Sequence, residues 1–244
     1  MIMMKDHFHK EIEEYQISVW KYSIFALKML RDSFEAFRSL DRELACEIAG
    51  GMESHCISCG TSDGQPEMHQ QIMVPRKVLL GLKSDQLEEE GLMLIALNQP
   101  VASDLRTISC CMNLINSSER IGRYGKDICH CTYKLPRGIH IHDMVGLPEM
   151  AALSISMLED AITAFRTHDL RMISGFSERD DVIDQMRYAI YEDCIRIMEE
   201  DPGTIPYCAT YLLIDRYLER CADHACKTAE KIHYMVTGDR VDIR

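Results

Sequence analysis

Long apolar runs are missing from this chain. No stretch approaches the about 20 apolar residues that a helix needs to span a bilayer, so a membrane-inserted protein is not expected. Positive charge is also in short supply: 27 Lys and Arg stand against 39 Asp and Glu, a net charge of −12. That balance argues against non-specific binding to nucleic acid and against docking by charge on anionic lipid. Most of the acidity reads as a means of keeping a long helical surface solvated. A signal peptide is not expected either, because Met1 to Tyr15 carries Lys5, Asp6, Lys10, Glu11, Glu13 and Glu14 in place of an apolar stretch. The 11 Cys are an odd number without secretory context, which favours reduced thiols in a cytoplasmic protein over a disulfide framework. No Ser/His/Asp order, phosphate-cradling glycine loop or dinucleotide fingerprint occurs.

Gly (13) and Pro (7) are few, and aromatics make up only 7% of the 244 residues. Sixteen Met fit the irregular gaps between packed helices. Apolar residues recur at helical spacing almost throughout. Ile12, Tyr15, Val19, Tyr22, Phe25, Ala26, Met29, Leu30, Phe34 and Phe37 line one face of a long first helix. Further helices are predicted over 76–98, 102–131, 148–168, 170–200 and 204–236, the last ending at Gly238. The stretch from Leu135 to Gly146, with Pro136 and Gly138, reads as a linker. The prediction is an all-α fold of two tandem three-helix bundles, residues 1–134 and 146–244.

An internal repeat supports this division. Ala36-Phe37-Arg38-Ser39-Leu40-Asp41 matches Ala164-Phe165-Arg166-Thr167-His168-Asp169 at an offset of 128. Glu119-Arg120 matches Glu219-Arg220 at 100, and Pro100 matches Pro202 at 102. The first half therefore holds 128 − 102 = 26 additional residues, and the Gly and Pro clustered between 50 and 75 mark where they lie.

These residues carry a resemblance to the PhoU family of phosphate-uptake regulators. Gln99-Pro100-Val101-Ala102-Ser103-Asp104-Leu105-Arg106 is similar to the family's turn into its third helix. Leu218-Glu219-Arg220-Cys221-Ala222-Asp223-His224-Ala225 is similar to its second signature, and Tyr234-Met235-Val236-Thr237-Gly238 to its C-terminal close. The resemblance covers the chain from Phe8-His9 onward except the 50–75 insertion. It implies two three-helix bundles side by side, and a regulator without a reaction of its own that damps phosphate uptake and starvation signalling. The implied partners are a phosphate transporter and a sensor kinase, and a homodimer is a third association to consider. It also implies metal-ion clusters on E(D)xxxD motifs in the second and third helices of each half.

Read on their own, Asp180 and Asp184 share one helix face, as do Glu219 and Asp223. Two such helices side by side would gather four carboxylates, and their repulsion must be offset by a cation, nearby Arg or shared protons. Oxygen ligands favour hard ions; the ions considered are Mg, Mn, Ca, Fe or Zn. Taken singly, either pair reads as a solvated face, and the repeat layout is what makes the four a metal candidate. The first half departs from the pattern. Arg123 stands where Asp223 stands in the second, and Lys77 to Lys83, where the counterparts of Asp180 and Asp184 should fall, contains no carboxylate.

Other polar groups read as structural. Cys56-Ile-Ser-Cys59 with His55 and His69 has one zinc-knuckle spacing but no second CxxC. Cys110-Cys111 and Cys129-His130-Cys131 suit core packing, and His140 and His142 suit solvent. The competing functions are a regulatory subunit of the same fold for another transporter or channel, and a carboxylate-bridged di-metal enzyme. The enzyme class uses paired Glu-x-x-His motifs, and only Glu230-Lys-Ile-His233 has that spacing.

Overall fold

The apolar stripe of the first helix organises the structure. The computed structural model describes residues 2–50, 74–135 and 139–243, with side chains from residue 7 onward. Helix α1 (Ile2–Arg38) buries Ile12, Tyr15, Val19, Tyr22, Ala26, Met29, Leu30, Phe34 and Phe37, a stripe at helical period, while Phe25 is half-buried. Helices α3 (Arg76–Asn98), α4 (Ala102–Lys134), α5 (Leu147–Thr167) and α7 (Ile205–Thr237) follow the predicted spans to within about a turn, and α6 (Phe176–Glu200) begins later than predicted. Among the described residues there is no strand.

Two features depart from the sequence reading. A short helix α2 (Arg42–Ala49) follows α1, started by Asp41, whose carboxylate accepts from the amides of Glu43 and Leu44. The helix expected over 170–200 is broken: a 3₁₀ turn (Leu170–Ile173) comes first, and Gly175 takes the left-handed conformation at φ 75° before α6 begins. A period-based reading has too few residues in either short piece to detect it.

The repeated Ala-Phe-Arg motif now has a physical meaning. Leu40 and His168 both turn left-handed, at φ 55° and 59°, and end α1 and α5. The Asp that follows each, Asp41 or Asp169, caps the short helix beyond.

Helices α1, α3 and α4 pack on one another, as do α5, α6 and α7, and the halves join through α1 against α5 and α4 against α7. Equivalent positions meet at both joints. Arg31 of α1 ion-pairs with Glu159 of α5, 128 residues on. The ring of Tyr124 in α4 lies 6.1 Å from that of His224 in α7, 100 residues on. A residue facing its own equivalent marks a two-fold relation, so the halves are related by an approximate dyad through these two contacts. Helices α3 and α6 are left on the outside.

Helix α3 is fixed by two tyrosines of α1. Tyr15 and Tyr22 donate to the backbone carbonyls of Leu87 and Leu80, at 3.0 and 3.2 Å, which sets the two helices antiparallel. The first contact depends on Gly91, because a Cβ there would collide with the Tyr15 hydroxyl.

The linker is a finding against expectation. His142 is exposed as expected, but His140 is half-buried: its Nε2 meets the Phe37 carbonyl at 2.9 Å and its Nδ1 the Tyr211 hydroxyl at 3.1 Å. Tyr211, fully buried, also accepts from the Ile141 amide at 3.1 Å. The reason is topological: the linker crosses the ends of both halves, and only contacts far apart in sequence reveal that. Cys110, Cys111, Cys129 and Cys131 are buried and unoxidised, in keeping with core packing. His55, Cys56, Cys59 and His69 lie outside the described residues. Among the described residues no helix is long and apolar enough to cross a membrane.

Candidate functional site

The carboxylates singled out in the second half lie on α6 and α7, which pack along each other. Asp180 is half-buried and Asp184 exposed on α6; Glu219 is half-buried and Asp223 buried on α7. One turn before Glu219 stands an acid that the sequence reading missed, Asp215, only 4% exposed. Its i, i+4 relation to Glu219 was readable, but nothing in the pattern said it would be interior.

Arg187 of α6 answers both acids of α7. Its Nη1 lies 3.4 Å from Glu219 Oε1 and its Nε 3.7 Å from Asp215 Oδ2. Arg220 adds a contact at 3.7 Å to Glu219 Oε2. Asp180 and Asp223 are engaged as well. Burial drives the Asp215 carboxyl up to about 7; Arg187 opposes the rise and Glu219 adds to it. Beside this group, burial and then Lys227 hold His224 down at about 4, so its imidazole is neutral near pH 7.

Two atoms here bear on a metal, namely Glu219 Oε2 and Asp215 Oδ1, both buried without a hydrogen-bond partner among the described residues. Unsatisfied carboxylate oxygens call for positive charge. The Arg187 guanidinium stands against the other oxygen of each acid, and no three His, Cys, Asp or Glu among the described residues are grouped as a metal shell. As arranged, Arg187 and Arg220 supply positive charge to Glu219, and Arg187 supplies it to Asp215.

In the first half the equivalent place is basic. Lys77, Glu119, Arg123 and Lys126 line one cavity of about 270 Å³ between α3 and α4. Arg123 donates to Glu119 at 2.5 and 3.1 Å, and Lys126 pairs with Asp127 at 2.8 Å. The substitution of Arg123 for an acid thus turns a carboxylate pair into an intrahelical ion pair. The lone Glu-x-x-His is also taken up: Glu230 accepts from the Ile243 amide at 3.3 Å, and His233 Nδ1 lies 3.2 Å from the Asp239 carbonyl. Both contacts tie down the chain after α7.

Two three-helix units, joined through their first and third helices and carrying an acidic cluster on the second, define an all-α tandem-bundle class. The family model for the PhoU domain matches residues 82–132 and 147–232, and the chain belongs to the PhoU family. The phosphate-specific transport system accessory protein PhoU homolog of Streptococcus pneumoniae is 28% identical over 240 residues, 98% of this chain and 100% of that protein. Its namesake from Caulobacter vibrioides is 31% identical over 195 residues, 80% of this chain and 84% of its own. The crystal structure of the phosphate transport system regulatory protein PhoU from S. pneumoniae superposes with a TM-score of 0.79 at 26% identity, covering 96% of this chain and 99% of that one. PhoU from Pseudomonas aeruginosa has the same fold, with a TM-score of 0.80 at 22% identity over 95% of this chain.

Proposed function

We propose that this chain is a cytoplasmic regulator of phosphate uptake and of phosphate-starvation signalling, acting by binding a phosphate transporter or a signalling partner such as a sensor kinase. The observation that carries the reading is end-to-end similarity to accessory proteins of phosphate-specific transport, with 98% of this chain aligned to the whole S. pneumoniae relative. A deletion strain is expected to lose the normal difference in phosphate uptake between rich and starved medium, and to regain it with the wild-type chain. Uptake and starvation response that stay normal in the deletion strain would overturn the assignment.

A hard metal ion on Asp180, Asp184, Glu219 and Asp223 belongs to the same proposal. It would supply positive charge to the acids of α6 and α7 in place of Arg187, which would have to leave Glu219.

A further inference from the structure

Helix α3 is apolar on two opposite sides. Leu80, Leu87 and Gly91 face the core, whereas Leu82, Leu92, Met93 and Leu97 are exposed, Leu97 to 73%. Exposed apolar residues clustered on one side of a helix mark a surface that a partner can cover, and α3 has them outside its core face. Beside its exposed side, α3 and the N-terminal part of α1 enclose a groove of about 580 Å³. Its floor is Tyr15, Met93, Leu94 and Leu97; its rim is Glu11, Glu14, Glu89 and Glu90, and among the described residues no Lys or Arg lines it. The cations nearest in sequence do little to neutralise it. Lys10 reaches Glu14 at 3.7 Å with both side chains about two-thirds exposed or more, a pairing that solvent screens. His7 stands 3.5 Å from Glu11 and is 75% exposed.

We propose that this groove receives a basic amphipathic helix from a partner protein. The inference rests on the reading of the chain as a binding regulator. Because α1 and α3 are antiparallel neighbours, the furrow between them runs straight, the shape into which a third helix packs. With α4 beneath, the incoming helix completes a four-helix arrangement. Apolar anchors at i, i+3, i+4 and i+7 would fill the floor, and Lys or Arg beside them would meet the four glutamates. The charge fixes the class of occupant. An anionic lipid surface is repelled, and a second copy docked by two-fold symmetry would set the same glutamates against each other.

The test uses the full chain and a fluorescent amphipathic peptide of about 18 residues, with Leu on one face and Lys and Arg on the other, at near-physiological salt. Anisotropy is expected to show binding that Leu97→Lys, or Glu89→Lys with Glu90→Lys, weakens about tenfold or more. The control pair Glu192→Lys and Glu199→Lys, both exposed on α6, should change it less than about twofold. These thresholds bracket the about 1.4 kcal/mol of one decade in affinity, and unchanged melting shows each variant to be folded. Equal weakening by groove and control variants, or equal binding of a peptide with Glu in place of Lys and Arg, overturns the proposal. So does wild-type self-association that Leu97→Lys abolishes, since the occupant is then a second copy. In the deletion strain, a Leu97→Lys chain is expected not to restore phosphate regulation. Restoration would remove the docking groove and leave the regulatory assignment standing; a deletion strain with normal regulation would remove the assignment itself.

Discussion

Individual buried polar groups set the strongest local expectations. Tyr211 serves two partners in the linker, and without its hydroxyl the Ile141 amide and His140 Nδ1 lose their acceptor and contact. Leaving a buried donor unpaired costs about 1–3 kcal/mol, so Tyr211→Phe should lower unfolding stability by about that amount in urea titration, with helix content unchanged. An unaffected midpoint would mean that water replaces the hydroxyl. Asp215 yields a pH dependence. Its folded carboxyl titrates at about 7 against an ordinary 3.8, so its contribution is fully present below about pH 4 and is lost as pH rises through 7. His224, depressed to about 4 from 6.5, works oppositely: its contribution is present above 6.5 and is lost as pH falls through 4. The two slopes oppose each other in the wild type, and only a difference isolates Asp215. Asp215→Asn, which never ionises, should gain stability over wild type as pH is raised from about 5 to 8. The gain should be about 1 kcal/mol or more, since each tenfold change in proton affinity is worth about 1.4 kcal/mol. A constant difference across that range would show that Asp215 ionises normally.

At the level of elements, the insertion can be tested against the repeat. The helices on either side of it already meet: a Cβ on Gly50 would lie 3.1 Å from the Pro75 ring and 3.4 Å from the Lys77 side chain. Arg76, at the start of α3, also bonds Glu47 of α2 and Asp32 of α1. Deleting residues 52–74 and closing the gap with a short turn is therefore expected to leave a cooperatively melting helical protein, since surface connections tolerate such changes. Loss of soluble expression or of a single transition would count against it, and chelators reproducing that loss would point to zinc on Cys56 and Cys59. What was legible in the sequence follows the physics of each element. The long helices announced themselves because stripes such as Tyr15, Tyr22 and Met29 repeat over many turns. Helix α2 and the break at Gly175 did not, being shorter than the period needs. His140 and Arg187 were hidden for another reason: their roles depend on which helices become neighbours, and no local pattern records that. The four candidate acids could be placed on two neighbouring helices, but not the Arg187 guanidinium that meets Glu219.

Across the whole molecule, the two halves share a backbone plan and differ in charge at one equivalent place. In the second half α6 and α7 bring Asp180, Asp184, Glu219 and Asp223 to neighbouring helices, with Arg187 against Glu219. In the first, Lys77, Arg123 and Lys126 surround a single Glu119. A divalent ion entering the first site meets net positive charge, whereas in the second it competes with one arginine for several carboxylates. Hard cations need six or more oxygens, with water completing the shell, so a site of four carboxylates open at Asp184 would bind weakly. Titration with Mn²⁺ is therefore expected to register in the second half alone. Asp184→Asn with Glu219→Gln should abolish it, Glu119→Gln should leave it unchanged, and Arg187→Gln should tighten it by about tenfold, which is about 1.4 kcal/mol of relieved competition. Equal stoichiometry in the wild type and the double carboxylate variant would eliminate the second-half site. An uptake that depends on Glu119 would eliminate the asymmetry, because the ion would then be choosing the half in which arginine and lysine outnumber the acid.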